Sequence, residues 1–166
     1  MVTRRNFLTR LLGGATALAA TGATVGHALA AGMEKLMLSE AQWRKRLKPA
    51  VYRVLRREAT EPPFSSPLND EKRTGVYHCA GCDLALFSSD TKYDSRTGWP
   101  SFYDVIEPAR IGTKTDYYIG YPRTEYHCAK CGGHQGHVFK DGPAPTGLRY
   151  CNNGLALTFK PKPGAA

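Results

Sequence analysis

Two C-x-x-C pairs, Cys79/Cys82 and Cys128/Cys131, constrain this chain more than any other feature in it. Each lies in a repeated phrase: Tyr77-His78-Cys79-Ala80-Gly81-Cys82 is echoed by Tyr126-His127-Cys128-Ala129-Lys130-Cys131. Two cysteines three apart aim both sulfurs at one point when a tight turn lies between them. Each pair fills half of a tetrahedron, and two pairs close it. Gly81, Gly132 and Gly133 offer the backbone freedom that such turns want. A closed four-sulfur site leaves no position for a substrate, so the expected metal is a structural zinc, one per chain. The 45 residues between Cys82 and Cys128 must then be a folded insertion whose ends the metal clips together. Two disulfides, or a redox-active C-x-x-C, are competing readings of the same cysteines. His78 and His127 adjoin the pairs, but adjacent residues on a strand face opposite ways, so neither is counted as a ligand.

Residues 1–30 read as an address rather than as fold. Thr3-Arg4-Arg5-Asn6-Phe7-Leu8 is followed by a weakly apolar, acid-free stretch from Leu11 to Val25, and soon after by Ala28-Leu29-Ala30. This resembles a twin-arginine signal, the export route for proteins that fold before crossing the membrane. The expectation is a periplasmic protein cleaved near Ala31; an uncleaved leader would tether it to the membrane. Folding before export also suits zinc, which would be loaded in the reducing cytoplasm. Cleavage leaves 136 of the 166 residues and takes the formal charge from +9 to +6, because Arg4, Arg5 and Arg10 go with the leader. That excess is spread along the chain and does not by itself argue for nucleic acid, so none is expected as a partner. No apolar run reaches the roughly 18 residues of a membrane-spanning helix, so no stable insertion is expected after cleavage.

The remainder reads as a small antiparallel β domain with two helices at its N-terminal edge. Residues 31–38 are taken as a short linker, 39–160 as the domain and 161–166 as a disordered tail. Ser39-Glu40-Ala41-Gln42 is a capping box that predicts a helix ending near Leu47. Pro49 fits the first turn of a second helix, Ala50 to Arg57, with Val51, Val54 and Leu55 on one face. Pro62-Pro63 and Pro67 keep residues 60–73 irregular. After Gly75, β-branched and aromatic segments alternate with turn residues. The predicted strands are Val76–His78, Leu84–Phe87, Phe102–Ile106, Asp116–Tyr121, Glu125–His127, His137–Phe139, Leu148–Cys151 and Leu155–Phe159.

Five cysteines minus four leaves Cys151, in Gly147-Leu148-Arg149-Tyr150-Cys151-Asn152-Asn153-Gly154. Alternation puts Arg149 and Cys151 on one face of a strand and Tyr150 on the other. A buried cysteine is often only a small hydrophobe. Here the neighbours are polar, and a basic side chain two residues away favours thiolate. Directly after the second pair comes Gly132-Gly133-His134-Gln135-Gly136-His137-Val138-Phe139. Two histidines among three glycines are not a core pattern; they are candidate acid–base groups, with a second metal site as the alternative. Trp99, between Gly98 and Pro100, is either core packing or the wall of a pocket for an apolar or sulfonium-like group.

At this point the chain resembles the peptide-methionine (R)-S-oxide reductases. The resemblance rests on Trp43-Arg44-Lys45-Arg46-Leu47, Thr60-Glu61-Pro62-Pro63-Phe64, both C-x-x-C pairs, Gly98-Trp99-Pro100-Ser101-Phe102, Gly133 to Phe139 and Gly147 to Asn153. It implies a twisted antiparallel sheet fold, the β-tent, with a structural zinc. It implies Cys151 as nucleophile, His134 and His137 as the pair lining the sulfoxide site, and Asn153 as a hydrogen-bonding neighbour. Trp99 would receive the substrate methyl group, and Arg149 joins it among the substrate-binding residues. The implied reaction is repair of methionine oxidised in proteins. A histidine protonates the sulfoxide oxygen and Cys151 attacks the sulfur. Methionine leaves, and the Cys151 sulfenic acid is restored by a thioredoxin-like or other thiol. The R epimer comes from the resemblance, and a monomer is expected. Gln135 and Asn152 stand where aliphatic residues are common in the family. They are expected to alter the pocket floor and the packing behind the nucleophile. Thr97 stands where many members carry a resolving cysteine. The competing class, a zinc-clipped binding module, accounts for four cysteines but not for Cys151 with its histidine pair.

Overall fold

The computed structural model describes residues 33–164. The leader expected at 1–30 lies outside the described residues. Helix α1, Glu40–Arg46, starts on the expected capping box: the Gln42 amide donates to the Ser39 hydroxyl, and the Ser39 amide donates to the Gln42 side chain. Helix α2, Pro49–Arg57, has proline at its first position and buries Tyr52, Val54 and Leu55. Trp43 of α1 is buried beneath the Arg56 guanidinium, 4.9 Å from the ring centroid. Residues 33–38 are in contact with the domain: the Leu36 amide donates to the Lys130 carbonyl at 2.8 Å.

Among the described residues nine strands follow: β1 Gly75–Cys79, β2 Ala85–Ser88, β3 Lys92–Tyr93, β4 Ser101–Phe102, β5 Ile111–Asp116, β6 Arg123–Cys128, β7 His134–Phe139, β8 Arg149–Asn152 and β9 Leu157–Pro161. They form two antiparallel sheets, ordered β2-β1-β9 and β3-β4-β8-β7-β6-β5. An aromatic seam joins them. Tyr77 and Phe87 of the first sheet meet Phe102, Tyr126 and Tyr150 of the second, all buried. Phe87 stacks on Phe102 at 4.3 Å, and Tyr126 meets Tyr150 edge-on at 5.4 Å.

The mainly β, antiparallel fold with two short helices is as expected, but several strand positions are not. The run expected as a strand at Asp116–Tyr121 is the tip of the β5–β6 hairpin, where Tyr117, Tyr118, Ile119 and Tyr121 are exposed. Its aromatic content mimics strand propensity although nothing covers it. Residues 103–106 carry no strand: only Ser101 and Phe102 lie in register with β3 and β8, while the Tyr103 and Ile106 amides donate singly to the Thr91 and Leu86 carbonyls. A short 3-10 turn, Gly154–Ala156, precedes β9, which runs to Pro161 paired with Gly75.

Candidate active site and metal centre

Each C-x-x-C pair begins where a strand ends, β1 at Cys79 and β6 at Cys128. The two turns close alike: the Asp83 amide donates to the Cys79 carbonyl and the Gly132 amide to the Cys128 carbonyl, both at 2.8 Å. The left-handed residue is Gly132 in the second turn but Asp83, not Gly81, in the first. Arginines from the helices hold both turns. Arg46 Nε donates to the Gly81 carbonyl at 3.1 Å and Arg56 Nη1 to the Cys131 carbonyl at 2.9 Å.

The four sulfurs are buried and lie within 4.8 Å of one another. Cys79 and Cys131 are 3.7 Å apart and Cys82 and Cys128 3.4 Å, far beyond a disulfide bond. Four sulfurs about 2.3 Å from a central zinc stand about 3.8 Å apart, so the cluster suits a tetrahedral thiophilic ion. The residues expected as ligands thus form a candidate metal site. His78 and His127 stay out of it: His78 Nδ1 lies 2.9 Å from the Asp83 carbonyl and His127 Nδ1 3.2 Å from Glu125 Oε2.

Cys151 lies at the centre of the six-stranded sheet, paired with Ser101 of β4 on one side and His137 of β7 on the other. It is partly buried and opens on a cavity of about 120 Å³, lined by Thr60, Trp99, Arg123, His137, Phe139 and Asn153 among others. Gly136 lies where β7 comes closest to β8. A Cβ there would sit 1.9 Å from the Cys151 carbonyl oxygen, so no side chain fits. This cavity brings Cys151, His137, Trp99 and Asn153 together, and His134 lines an adjoining cavity that shares Thr60, Arg123 and His137.

Alternation alone would send His134 and His137 to opposite faces. A bulge prevents it: Gly136 pairs with Tyr126, but His134 pairs with His127, so Gln135 is an extra residue in β7. The two rings end 5.6 Å apart. Each is held by a carboxylate that the sequence did not single out. His134 Nδ1 lies 2.7 Å from buried Glu125, and His137 Nε2 lies 2.7 Å from Asp116. Arg123 pairs with Asp116 at 2.5 Å. Tyr118's backbone N–H, then His137, keep the Asp116 carboxyl far below its ordinary range. An ionised carboxylate only accepts, so His137 presents Nε2–H to it. Burial pushes the His137 pKa down, against the pull of Asp116.

Arg149 is bound bidentately by Asp141, both contacts at 2.8 Å, and lies 4.3 Å over the Phe139 ring. Its positive charge and the Thr97 hydroxyl both favour a Cys151 thiolate. Burial outweighs them, and the net shift of the thiol is upward. Arginine thus favours thiolate as expected, but desolvation is the larger effect in the resting protein.

Two further expectations change. Gln135 does not form the pocket floor; its side chain is buried and turned toward the metal cluster, with Nε2 3.4 Å from Cys79 Sγ. Asn152 keeps its packing by pairing its polar atoms, accepting from the Tyr126 hydroxyl at 2.5 Å and donating to the Asn153 carbonyl at 2.7 Å. Asn153 is spent on backbone: it accepts from the Glu61 amide and donates to the Gln135 carbonyl. Glu61 is the organiser that sequence reasoning passed over. Its carboxylate accepts from the Gly154 and Leu155 amides at 2.5 and 3.0 Å, while its carbonyl accepts from Trp99 Nε1 at 3.1 Å. Its only signal was its place between Thr60 and Pro62-Pro63 in a quoted motif.

Comparison with known proteins agrees with this geometry. The model of the SelR domain matches residues 47–161. The chain is 52% identical over 133 residues to the peptide methionine sulfoxide reductase MsrB of Pseudomonas putida (strain W619), covering 80% of this chain and 100% of that one. It is 56% identical over 122 residues to the MsrB of Methanosarcina barkeri (strain Fusaro / DSM 804), covering 74% of this chain and 86% of that one. Against the MsrB of Agrobacterium fabrum (strain C58 / ATCC 33970) it is 49% identical over 127 residues, 76% of this chain and 94% of that one. A domain match across most of the chain, joined to relatives half-identical over nearly their full length, means that the chain belongs to the SelR family, that of the peptide methionine sulfoxide reductases MsrB.

Proposed function

We propose that this protein reduces methionine sulfoxide in oxidised peptides and proteins to methionine, with Cys151 as nucleophile. One observation carries the assignment of the nucleophile. Cys151 is the one cysteine outside the four-sulfur cluster, and it shares a small cavity with Trp99 and His137. The R epimer is the handedness that the family resemblance implies.

Trp99 supplies an apolar wall for the substrate's methyl group, held in place through its N–H to Glu61. The sulfoxide oxygen is a poor leaving group until protonated. His137, paired across from Cys151, is the group that passes it a proton, and His134, with buried Glu125 behind it, supplies the second imidazole. The Cys151 sulfur attacks the sulfoxide sulfur, which is reduced to the thioether. In balance, thiol plus sulfoxide gives sulfenic acid plus methionine: Cys151 loses two electrons and gains the oxygen. An external dithiol of the thioredoxin-like kind condenses with the sulfenic acid, releasing water, and its second thiol then frees Cys151 and leaves the reductant as a disulfide. Cys79, Cys82, Cys128 and Cys131 would hold zinc, which when bound clamps the fold and takes no part in the reaction.

The test is turnover of each sulfoxide epimer with dithiothreitol. The wild type is expected to consume the R epimer, and Cys151→Ser none. Without a thiol, release is expected to stop near one methionine per chain, with one oxygen added to the Cys151 peptide, because Thr97 offers no resolving sulfur. Substantial turnover by Cys151→Ser would overturn the assignment; a Cys151 disulfide to a cluster cysteine would instead overturn the one-cysteine cycle, the metal site then giving up a ligand to resolve the sulfenic acid.

We also propose export by the twin-arginine route to the periplasm, supported by Arg4-Arg5 and Ala28-Leu29-Ala30. Among the described residues no helix is long and apolar enough to cross a membrane. Replacing Arg4 and Arg5 by lysine is expected to leave the precursor in the cytoplasm; normal periplasmic arrival would refute this route.

A further inference from the structure

We propose that Gln135 is a positioning residue of the metal centre, donating a side-chain N–H to the Cys79 thiolate and tying that centre to the strand pair that carries the nucleophile. Residue 135 is the extra residue of the β7 bulge, which turns its side chain away from the substrate cavity. That side chain is fully buried. Its Nε2 lies 3.4 Å from Cys79 Sγ and 3.4 Å from the Gly133 carbonyl, on the turn that carries Cys131.

The identity of this terminal atom is set by chemistry. A metal-bound cysteine sulfur is a thiolate, which accepts and does not donate, and a carbonyl only accepts. An NH2 group has one hydrogen for each. The amide oxygen in its place would face two acceptors. The oxygen instead lies buried with no partner. An aliphatic side chain would fill this space without that penalty, so what the amide adds here is its two N–H bonds.

Four thiolates around one divalent ion leave a net charge of −2 in a buried site. An N–H pointed at one sulfur spreads that charge and fixes the position of the Cys79 sulfur, so metal loss becomes harder. The backbone of the same residue reaches the other way. The Gln135 carbonyl accepts from the Asn153 amide at 2.8 Å and from Asn153 Nδ2 at 3.1 Å, two residues beyond Cys151. One residue thus spans the metal turn and the catalytic strand.

This inference rests on the reading that the four cysteines hold zinc, so the experiment begins with metal content. Wild type is expected to carry one zinc per chain. Gln135→Leu is expected to fold with the same far-ultraviolet spectrum and the same zinc content, but to release zinc to a chromogenic chelator about 10-fold faster or more. Absence of metal from the wild type would overturn the metal reading and this proposal with it. One zinc in both proteins, released at equal rates, would overturn the proposal alone. Should Gln135→Leu fail to fold, cadmium-113 exchanged into ¹⁵N-labelled wild type gives the answer directly. A scalar coupling between cadmium and the Gln135 side-chain N–H is expected, and its absence overturns the assignment.

Discussion

At the scale of single residues, the catalytic machinery is set by competition between burial and partners. Cys151 has a cation beside it, yet desolvation keeps it a thiol; His137 has a carboxylate beside it, yet desolvation holds its pKa down. Thiol plus neutral imidazole carries the same number of protons as thiolate plus imidazolium. The resting pair is therefore one internal proton transfer from the reactive pair, and solvent need supply nothing. For the free enzyme, kcat/KM is expected to stay flat between the ordinary imidazole and thiol values, about 6.5 and 8.5. Below that range a second proton is added and thiolate becomes harder to form. Above the raised thiol pKa the transferable proton is lost. Arg149→Met removes a charge that lowers the thiol pKa, so it should move the alkaline limb further up. An alkaline limb below pH 8 in the wild type would mean that Cys151 rests as thiolate. The four-cysteine cluster and the proposed nucleophile were legible because cysteine is scarce and its spacing is chemical. Asp116, Glu125 and Asp141 were not, because a carboxylate becomes a histidine or arginine partner only through strand pairing and loop closure between distant segments.

At the scale of elements, two features do most to shape the site: the bulge in β7 and the loop of residues 60–64 that closes over the turn after β8. Neither has a local signature. A bulge is one extra residue, invisible to alternation rules until its partner strand is known. The polar, exposed Thr113-Lys114-Thr115 hides β5 from an apolar-alternation search, while the aromatic tip beside it imitates a strand. The helices, by contrast, were readable from Ser39, Gln42 and Pro49, because capping acts within one turn. The 60–64 loop can be tested at Glu61. Glu61→Ala strands the Gly154 and Leu155 amides and loosens the contact that orients Trp99. The expected cost is about 1–4 kcal/mol of stability, one buried and one partly buried donor left unpaired, seen as an earlier denaturation midpoint. KM for the sulfoxide should rise more than kcat falls, since Trp99 shapes binding rather than proton transfer. Glu61→Gln, which retains one acceptor oxygen, should recover part of both. Equal stability of Glu61→Ala and wild type would show that the loop is held by its prolines alone.

At the scale of the whole molecule, the two C-x-x-C turns belong to different sheets: one follows β1 of the three-stranded sheet, the other β6 of the six-stranded sheet. A metal between them is a bolt across the fold. The aromatic seam of Tyr77, Phe87, Phe102, Tyr126 and Tyr150 also joins the sheets, so metal removal should weaken the structure rather than abolish it. Closing a loop of roughly 50 residues is worth about 4 kcal/mol in chain entropy. For a domain of this size that corresponds to a fall in Tm of about 10 °C or more. Prolonged chelation followed by thermal unfolding measures it, with thiols kept reduced so that no disulfide replaces the metal. The stripped protein is expected to keep its β spectrum at 25 °C, melt earlier and recover its Tm on adding one equivalent of zinc. An unchanged Tm after verified metal removal would mean that the aromatic seam alone joins the sheets. Complete unfolding at 25 °C would mean that the seam contributes little and the metal carries the connection.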